Sequence, residues 1–275
     1  MSDLLVKKEI LGIGFTNASD EEILEYIVNS LENNTPPYYI VTPNPEMIVF
    51  AASHPDFKST LNRARISLCD GIGLFMASKI FNNPIKERIS GTDFVENLCE
   101  KSNNKLIRVG FLGAGANVAE KAAERLQKKY PKLHISFVGE EWNEDFSNKK
   151  SVLSSKYNVL SIKNKNEKHS IYNTKYIIHN TGIDILFVAF GFPKQEEWMK
   201  EHIGKIPVKV MVGVGGAFDY ISGNVMRAPE WIRTLGLEWL FRLVNQPWRW
   251  RRQLALVRFI WMVFREKWDS IKGKV

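Results

Sequence analysis

The chain runs to 275 residues, 44% hydrophobic and 25% charged, with a formal net charge of +8. These are ordinary values for a globular protein, and the length suffices for one large α/β domain plus an appendage. Two cysteines, Cys69 and Cys99, exclude a disulfide framework, and no Cys/His spacing of the metal-binding kind is present. Met1-Ser2-Asp3 leads into a charged strand rather than a secretory leader, so a reducing cytoplasm is the expected setting.

Short apolar runs alternating with helical patterns predict a mostly parallel sheet covered by helices. In chain order the expected strands are residues 8–14, 38–42, 66–69, 107–113, 134–138, 185–190 and 208–214. The helix after the first strand opens on Ser19-Asp20-Glu21-Glu22, a capping box with Ser19 as cap and Glu22 three residues on. Another helix is expected over 116–130, closed by Pro131. Between residues 140 and 180 the pattern weakens, and Asn, Lys and Ser crowd residues 143–170; this reads as a solvated excursion with a short strand and one helix near 171–179.

The last fifth of the chain is chemically distinct. From Arg227 to Val275, eleven Lys or Arg stand against four acidic residues, and six of the eight tryptophans lie there. A helix is expected from Trp250 to Trp268, with Arg251, Arg258 and Arg265 on one side and Leu254, Val257, Ile260, Trp261 and Phe264 filling much of the rest. The apolar run Gln253–Phe264 is twelve residues long, against the roughly 20 that a membrane span needs. It suits a helix lying in a membrane interface; a helix packed on the body with solvated arginines is the alternative.

Open parallel sheets bind ligands beyond the carboxyl ends of their strands, and four loops there are rich in candidate groups. Thr42-Pro43-Asn44-Pro45-Glu46 offers Thr42 and Asn44 at a strand tip; Asn44 as a helix N-cap with Pro45 in the first turn is the structural alternative. Asp70, in Cys69-Asp70-Gly71-Ile72-Gly73, suits a general base for a sugar hydroxyl or a helix cap. Arg88, before Ser90-Gly91-Thr92, suits a phosphate clamp or an exposed ion pair. Lys194 and Gln195 follow the apolar strand ending at Phe190 and suit a diphosphate or a sugar hydroxyl.

Gly113-Ala114-Gly115-Ala116-Asn117-Val118 has two of the three dinucleotide glycines and suits nucleotide approach at Gly113 and Gly115, not an NAD fingerprint. Gly215, in Gly213-Val214-Gly215-Gly216, is placed to pass near a donor substrate. No Asp-X-Asp occurs in the sequence; a metal-free transfer would need cationic side chains and backbone donors at the leaving group. No cofactor and no metal are expected.

Six stretches carry a resemblance: TPNPEM (42–47), CDGIG (69–73), ERISGTDFVE (87–96), FVAFGFPKQEEW (187–198), VGVGGAFDYISG (212–223) and RAPEWIRTLGLEWLFRLVNQPWRW (227–250). In them the chain resembles the bacterial WecG/TagA/CpsF family of glycosyltransferases, which act in teichoic-acid and surface-polysaccharide synthesis. The resemblance implies a Rossmann-like core with helices on both faces and an inverting, metal-independent mechanism. The best-known activity moves N-acetylmannosamine from its UDP derivative to N-acetylglucosaminyl-diphospho-undecaprenol; some relatives use other nucleotide sugars.

It further implies Asp70 as base, with Thr42, Arg88 and Gln195 in the same pocket. Arg242, Arg249 and Arg252 would belong to a C-terminal appendage that meets the acceptor diphosphate and the membrane. The division so implied is a catalytic core over residues 1–223 and an appendage over 224–275, in a protein peripheral to the inner membrane face and able to form homo-oligomers. The excursion at 140–180 departs from the family pattern. A nucleic-acid-binding tail and an NAD-dependent oxidoreductase are remote readings; long aliphatic runs in the tail oppose the first, and the missing third glycine opposes the second.

Overall fold

The computed structural model describes residues 6–142 and 182–272; most of the excursion, with the helix expected near 171–179, lies outside the described residues. The chain opens on β1 (Lys7–Ile10) and β2 (Ile13–Thr16), where a single strand over 8–14 was expected. The two pair antiparallel with Ile10 opposite Ile13. Leu11 and Gly12 turn the corner with φ of 52° and 79°, the conformation of a two-residue type I′ hairpin. A leucine in that conformation is not readable from composition, so the turn is hidden in an apolar run.

Then follow α1 (Asp20–Glu32), β3 (Tyr38–Val41), α2 (Pro45–Ala51), α3 (Pro55–Arg63), β4 (Ile66–Ser67), α4 (Ile72–Ile80), α5 (Gly91–Asn103), β5 (Arg108–Gly113), α6 (Val118–Lys129) and β6 (His134–Gly139). Beyond residue 181 come β7 (Ile183–Ala189), α7 (Lys194–His202), β8 (Val208–Gly213) and α8 (Ala217–Ile221). The capping box of α1 forms as its sequence dictates: Ser19 N–H donates to Glu22 Oε2 at 2.8 Å, and Glu22 N–H to Ser19 Oγ at 3.4 Å.

β3 to β8 form one six-stranded sheet in the order β4-β3-β8-β7-β5-β6, with every neighbouring pair parallel. All of β7 is buried, which is why residues 185–189 read as an unbroken apolar run; Asp184, the one charged residue of the strand, is paired with Arg108 at 2.8 Å. Helices cover both faces. One apolar layer joins α1, α5, α6 and α8 around Phe94, Phe111, Phe187 and Phe218. The other joins the hairpin with α2, α3, α4 and α7 around Phe15, Phe57 and Phe137. This is the doubly covered α/β fold that the pattern predicts.

The rest of the chain is helical: α9 (Glu230–Thr234), α10 (Glu238–Asn245), a 3-10 turn (Pro247–Arg249) and α11 (Trp250–Lys272). α11 lies against α2 and α4, burying Phe259 and Val263. Gly236, between α9 and α10, has φ of +75°, and a Cβ there would stand 2.6 Å from Ile72 Cβ. Only glycine allows the segment this approach to the start of α4.

Candidate active site

The carboxyl ends of β3, β4, β7 and β8 open into a cleft of about 730 Å³, roofed by α10 and α11. Thr42 stands at the tip of β3, buried, and its hydroxyl donates to Gly213 O at 2.9 Å. This ties the ends of β3 and β8 together. Asn44 caps α2, its Oδ1 accepting from Met47 N–H at 3.1 Å; it also lines the cleft, so the structural and the site readings hold together.

Asp70 follows β4 at the cleft floor. Its own N–H donates to Pro43 O and Leu68 O, which fixes the backbone, and the Gly91 N–H donates to its carboxylate. Burial first, and the charge of Glu238 second, push Asp70 up to about 7 against the opposing pull of Arg88 and the Gly91 amide. A carboxylate poised there is matched to proton transfer near neutral pH.

Arg88 also lines the cleft. Its guanidinium donates to Arg233 O at 2.9 Å, tying the loop after α4 to the end of α9. Asp93 takes Arg227 at 2.7 Å and Arg233 at 3.3 Å, so three arginines and one aspartate join the body to α9 and the segment that leads into it.

At the head of α7, Gln195 is buried and lines the cleft. Its Oε1 accepts from Gly215 N–H at 3.0 Å. Gly215 lines the cleft as well, whereas Lys194 is exposed and is not among the lining residues. Gly113 and Gly115 also stand outside the lining, with Ala114 between them in it. A Cβ on Gly113 would stand 2.9 Å from Phe190 Cδ1, so close packing of β5 on β7 accounts for that glycine.

The roof brings two of the three tail arginines to the cleft. Arg242 lies 4.8 Å over the Tyr220 ring and 3.9 Å from Asp219. Arg252 forms a forked pair with Glu46 at 2.7 to 3.0 Å. Arg249 is described by its backbone alone, at the end of the 3-10 turn. Met76, Ala77 and Ile80 of α4 and Leu256, Ile260, Val263 and Phe264 of α11 add apolar lining to the cleft.

Several site residues were not visible in the sequence. Glu46, Glu196 and Glu238 were not singled out there. No signal in a single sequence marks Glu46 or Glu238, since Arg252 and Asp70 lie far along the chain, and the burial of Glu196 is set by the fold rather than by its neighbours in sequence. Among the described residues, no three His, Cys, Asp or Glu side chains gather as metal ligands do, and no helix is long and apolar enough to cross a membrane.

The chain as a whole is similar to known proteins. The model of the family described as "Glycosyl transferase WecG/TagA/CpsF family" matches residues 8–273. An N-acetylglucosaminyldiphosphoundecaprenol N-acetyl-beta-D-mannosaminyltransferase of Bacillus spizizenii is 30% identical over 265 residues, 96% of this chain and 93% of that protein. Proteins of the same description from Bacillus subtilis and Staphylococcus aureus are each 30% identical, over 94% and 98% of this chain and 91% and 96% of their own lengths.

Proposed function

The chain belongs to the WecG/TagA/CpsF family of glycosyltransferases, and on that premise we propose that it transfers N-acetylmannosamine from its UDP derivative to N-acetylglucosaminyl-diphospho-undecaprenol, with inversion and without a metal. The observation that carries this reading is the mixed lining of one cleft. Asp70 and the strand-tip loops line it together with apolar side chains of α4 and α11 and with Arg242 and Arg252. A sugar joined through a diphosphate to a polyprenyl chain calls for each of these surfaces.

In the proposed step, the acceptor hydroxyl gives its proton to Asp70 as its oxygen attacks the anomeric carbon. The bond to UDP breaks on the opposite face, and the electron pair leaves with the diphosphate. Thr42, Gln195 and the Gly215 loop hold the reacting sugars, and Arg88 offsets negative charge in the pocket. Arg242, Arg249 and Arg252 meet the acceptor diphosphate. The exposed Trp261, Phe264 and Trp268 of α11 support peripheral binding at the inner membrane face.

The test is a transfer assay with UDP-N-acetylmannosamine, a synthetic lipid-linked acceptor and EDTA, following UDP release and product mass. One added N-acetylhexosamine is expected. Product only from another UDP-sugar, such as a hexose or uronic acid, would replace the donor and keep the reaction. Product abolished by EDTA and restored by a divalent cation would overturn metal independence.

A further inference from the structure

Glu196, in the first turn of α7, is fully buried beside Gln195. Its Oε1 accepts from Gln195 Nε2 at 2.7 Å, while its Oε2 has no hydrogen-bond partner. The groups acting on this carboxylate are Gln195, its own backbone amide and Glu197, none of them a cation. A buried carboxylate without a counter-charge is costly to a fold, and a side chain of similar size without the charge would avoid that cost. Packing of α7 therefore does not explain an acid at this position.

The neighbouring amide does. The backbone N–H of Gly215 can only donate, so the Gln195 atom facing it at 3.0 Å is the oxygen. An ionised carboxylate can only accept, so the atom facing Glu196 is Nε2. With both ends assigned, the amide cannot turn over. Burial pushes Glu196 up to about 7; a proton taken up on Oε2 still leaves Oε1 an acceptor, so the assignment holds on either side of that pH. One hydrogen on Nε2 remains uncommitted, in a side chain that lines the cleft with Thr42 and Asp70.

We infer that Glu196 is a positioning residue for transfer: its carboxylate locks the Gln195 amide in one orientation, so that the remaining N–H is offered to a substrate oxygen in the cleft. This rests on the transferase reading given above.

The test compares wild type, E196Q, E196L, Q195A and the Q195A/E196Q double variant in the transfer assay, with thermal unfolding of each. The E196Q side chain can present either oxygen or NH2 to Gln195, so the Gly215 N–H alone then favours one orientation and the lock loosens while volume is kept. E196Q should unfold at or above the wild-type temperature, because a buried charge is gone, yet lose roughly tenfold in kcat/KM. E196L, which removes the acceptor, should lose more. In the Q195A background, E196Q should cost nothing further, because it acts through Gln195.

Wild-type kcat/KM in E196Q or in Q195A, or losses that multiply in the double variant, would overturn the inference while leaving an active wild-type transferase in hand. Silence of the wild type with every nucleotide sugar would overturn both readings. Should E196L not fold, E196Q and the double variant still decide.

Discussion

Arg252 grips Glu46 through two nitrogens, at 2.7 to 3.0 Å, across 206 residues of sequence. The pair joins the first turn of α11 to the first turn of α2 at the mouth of the cleft. Both side chains are partly exposed, so the pair contributes only about 0.5–1 kcal/mol to stability. Its larger consequence follows from the proposed function, in which the acceptor diphosphate meets Arg252 and so competes with Glu46 for the same guanidinium. Glu46→Ala should therefore lower KM for the lipid-linked acceptor, and Arg252→Ala should raise it, each with little change in melting temperature. Shifts of the same sign in both variants would rule out this competition.

As the proposed base, Asp70 would link activity to pH. With the carboxyl held near 7 by burial and by Glu238, kcat should rise as pH passes through about 7 and level off above it, because the base must be ionised. Asp70→Asn should abolish transfer. The stability effect has the opposite direction. The folded state keeps the proton while the unfolded chain, near 3.8, gives it up, so this group's contribution is full below pH 4 and is lost as pH rises through 7. The asparagine variant should accordingly melt higher than wild type at pH 8, with the gap closing toward pH 4. A rate independent of pH between 5.5 and 8.5 would remove Asp70 as base.

Phe259 anchors the roof. It is 2% exposed, and its ring would lie 3.6 Å from a Cβ at Gly73. Phe259→Ala should weaken docking of α11 by about 3 kcal/mol. Limited proteolysis should then cleave near the start of α11 first, and transfer should fall while the α/β body keeps its melting transition. Gly236→Val, which collides with Ile72, should act the same way. Cleavage at wild-type rates in both variants would show that α11 docks by other contacts.

Trp261 and Trp268 are 58% and 61% exposed, each with a cation over its ring. Replacing both with alanine should reduce co-sedimentation with anionic vesicles several-fold, leaving turnover of a short, water-soluble acceptor near wild type. Raising salt should weaken wild-type binding as the arginines are screened. Undiminished vesicle binding by the double variant would place the membrane contact elsewhere.

Local interactions were legible in the sequence because their partners are local. The α1 capping box spans three residues, and Asn44 with Pro45 opens α2 by the same short-range rule. The buried strands announced themselves as apolar runs, since a parallel strand covered on both faces has no side to keep polar. The excess of arginine and tryptophan after Arg227, and the loops that mark the glycosyltransferase family, were equally plain in one dimension. The β1–β2 hairpin was not, because its turn is made by a leucine in a left-handed conformation.

The tertiary structure alone decided which of these groups meet. It set Asp70 near Glu238, Arg88 and the Gly91 amide, closed the Gln195–Gly215–Glu196 network, and left Lys194 exposed while bringing Arg242 and Arg252 over the cleft. Charge and hydrogen bonding depend on distances through a poorly polarisable interior, which the spacing of residues along the chain does not set.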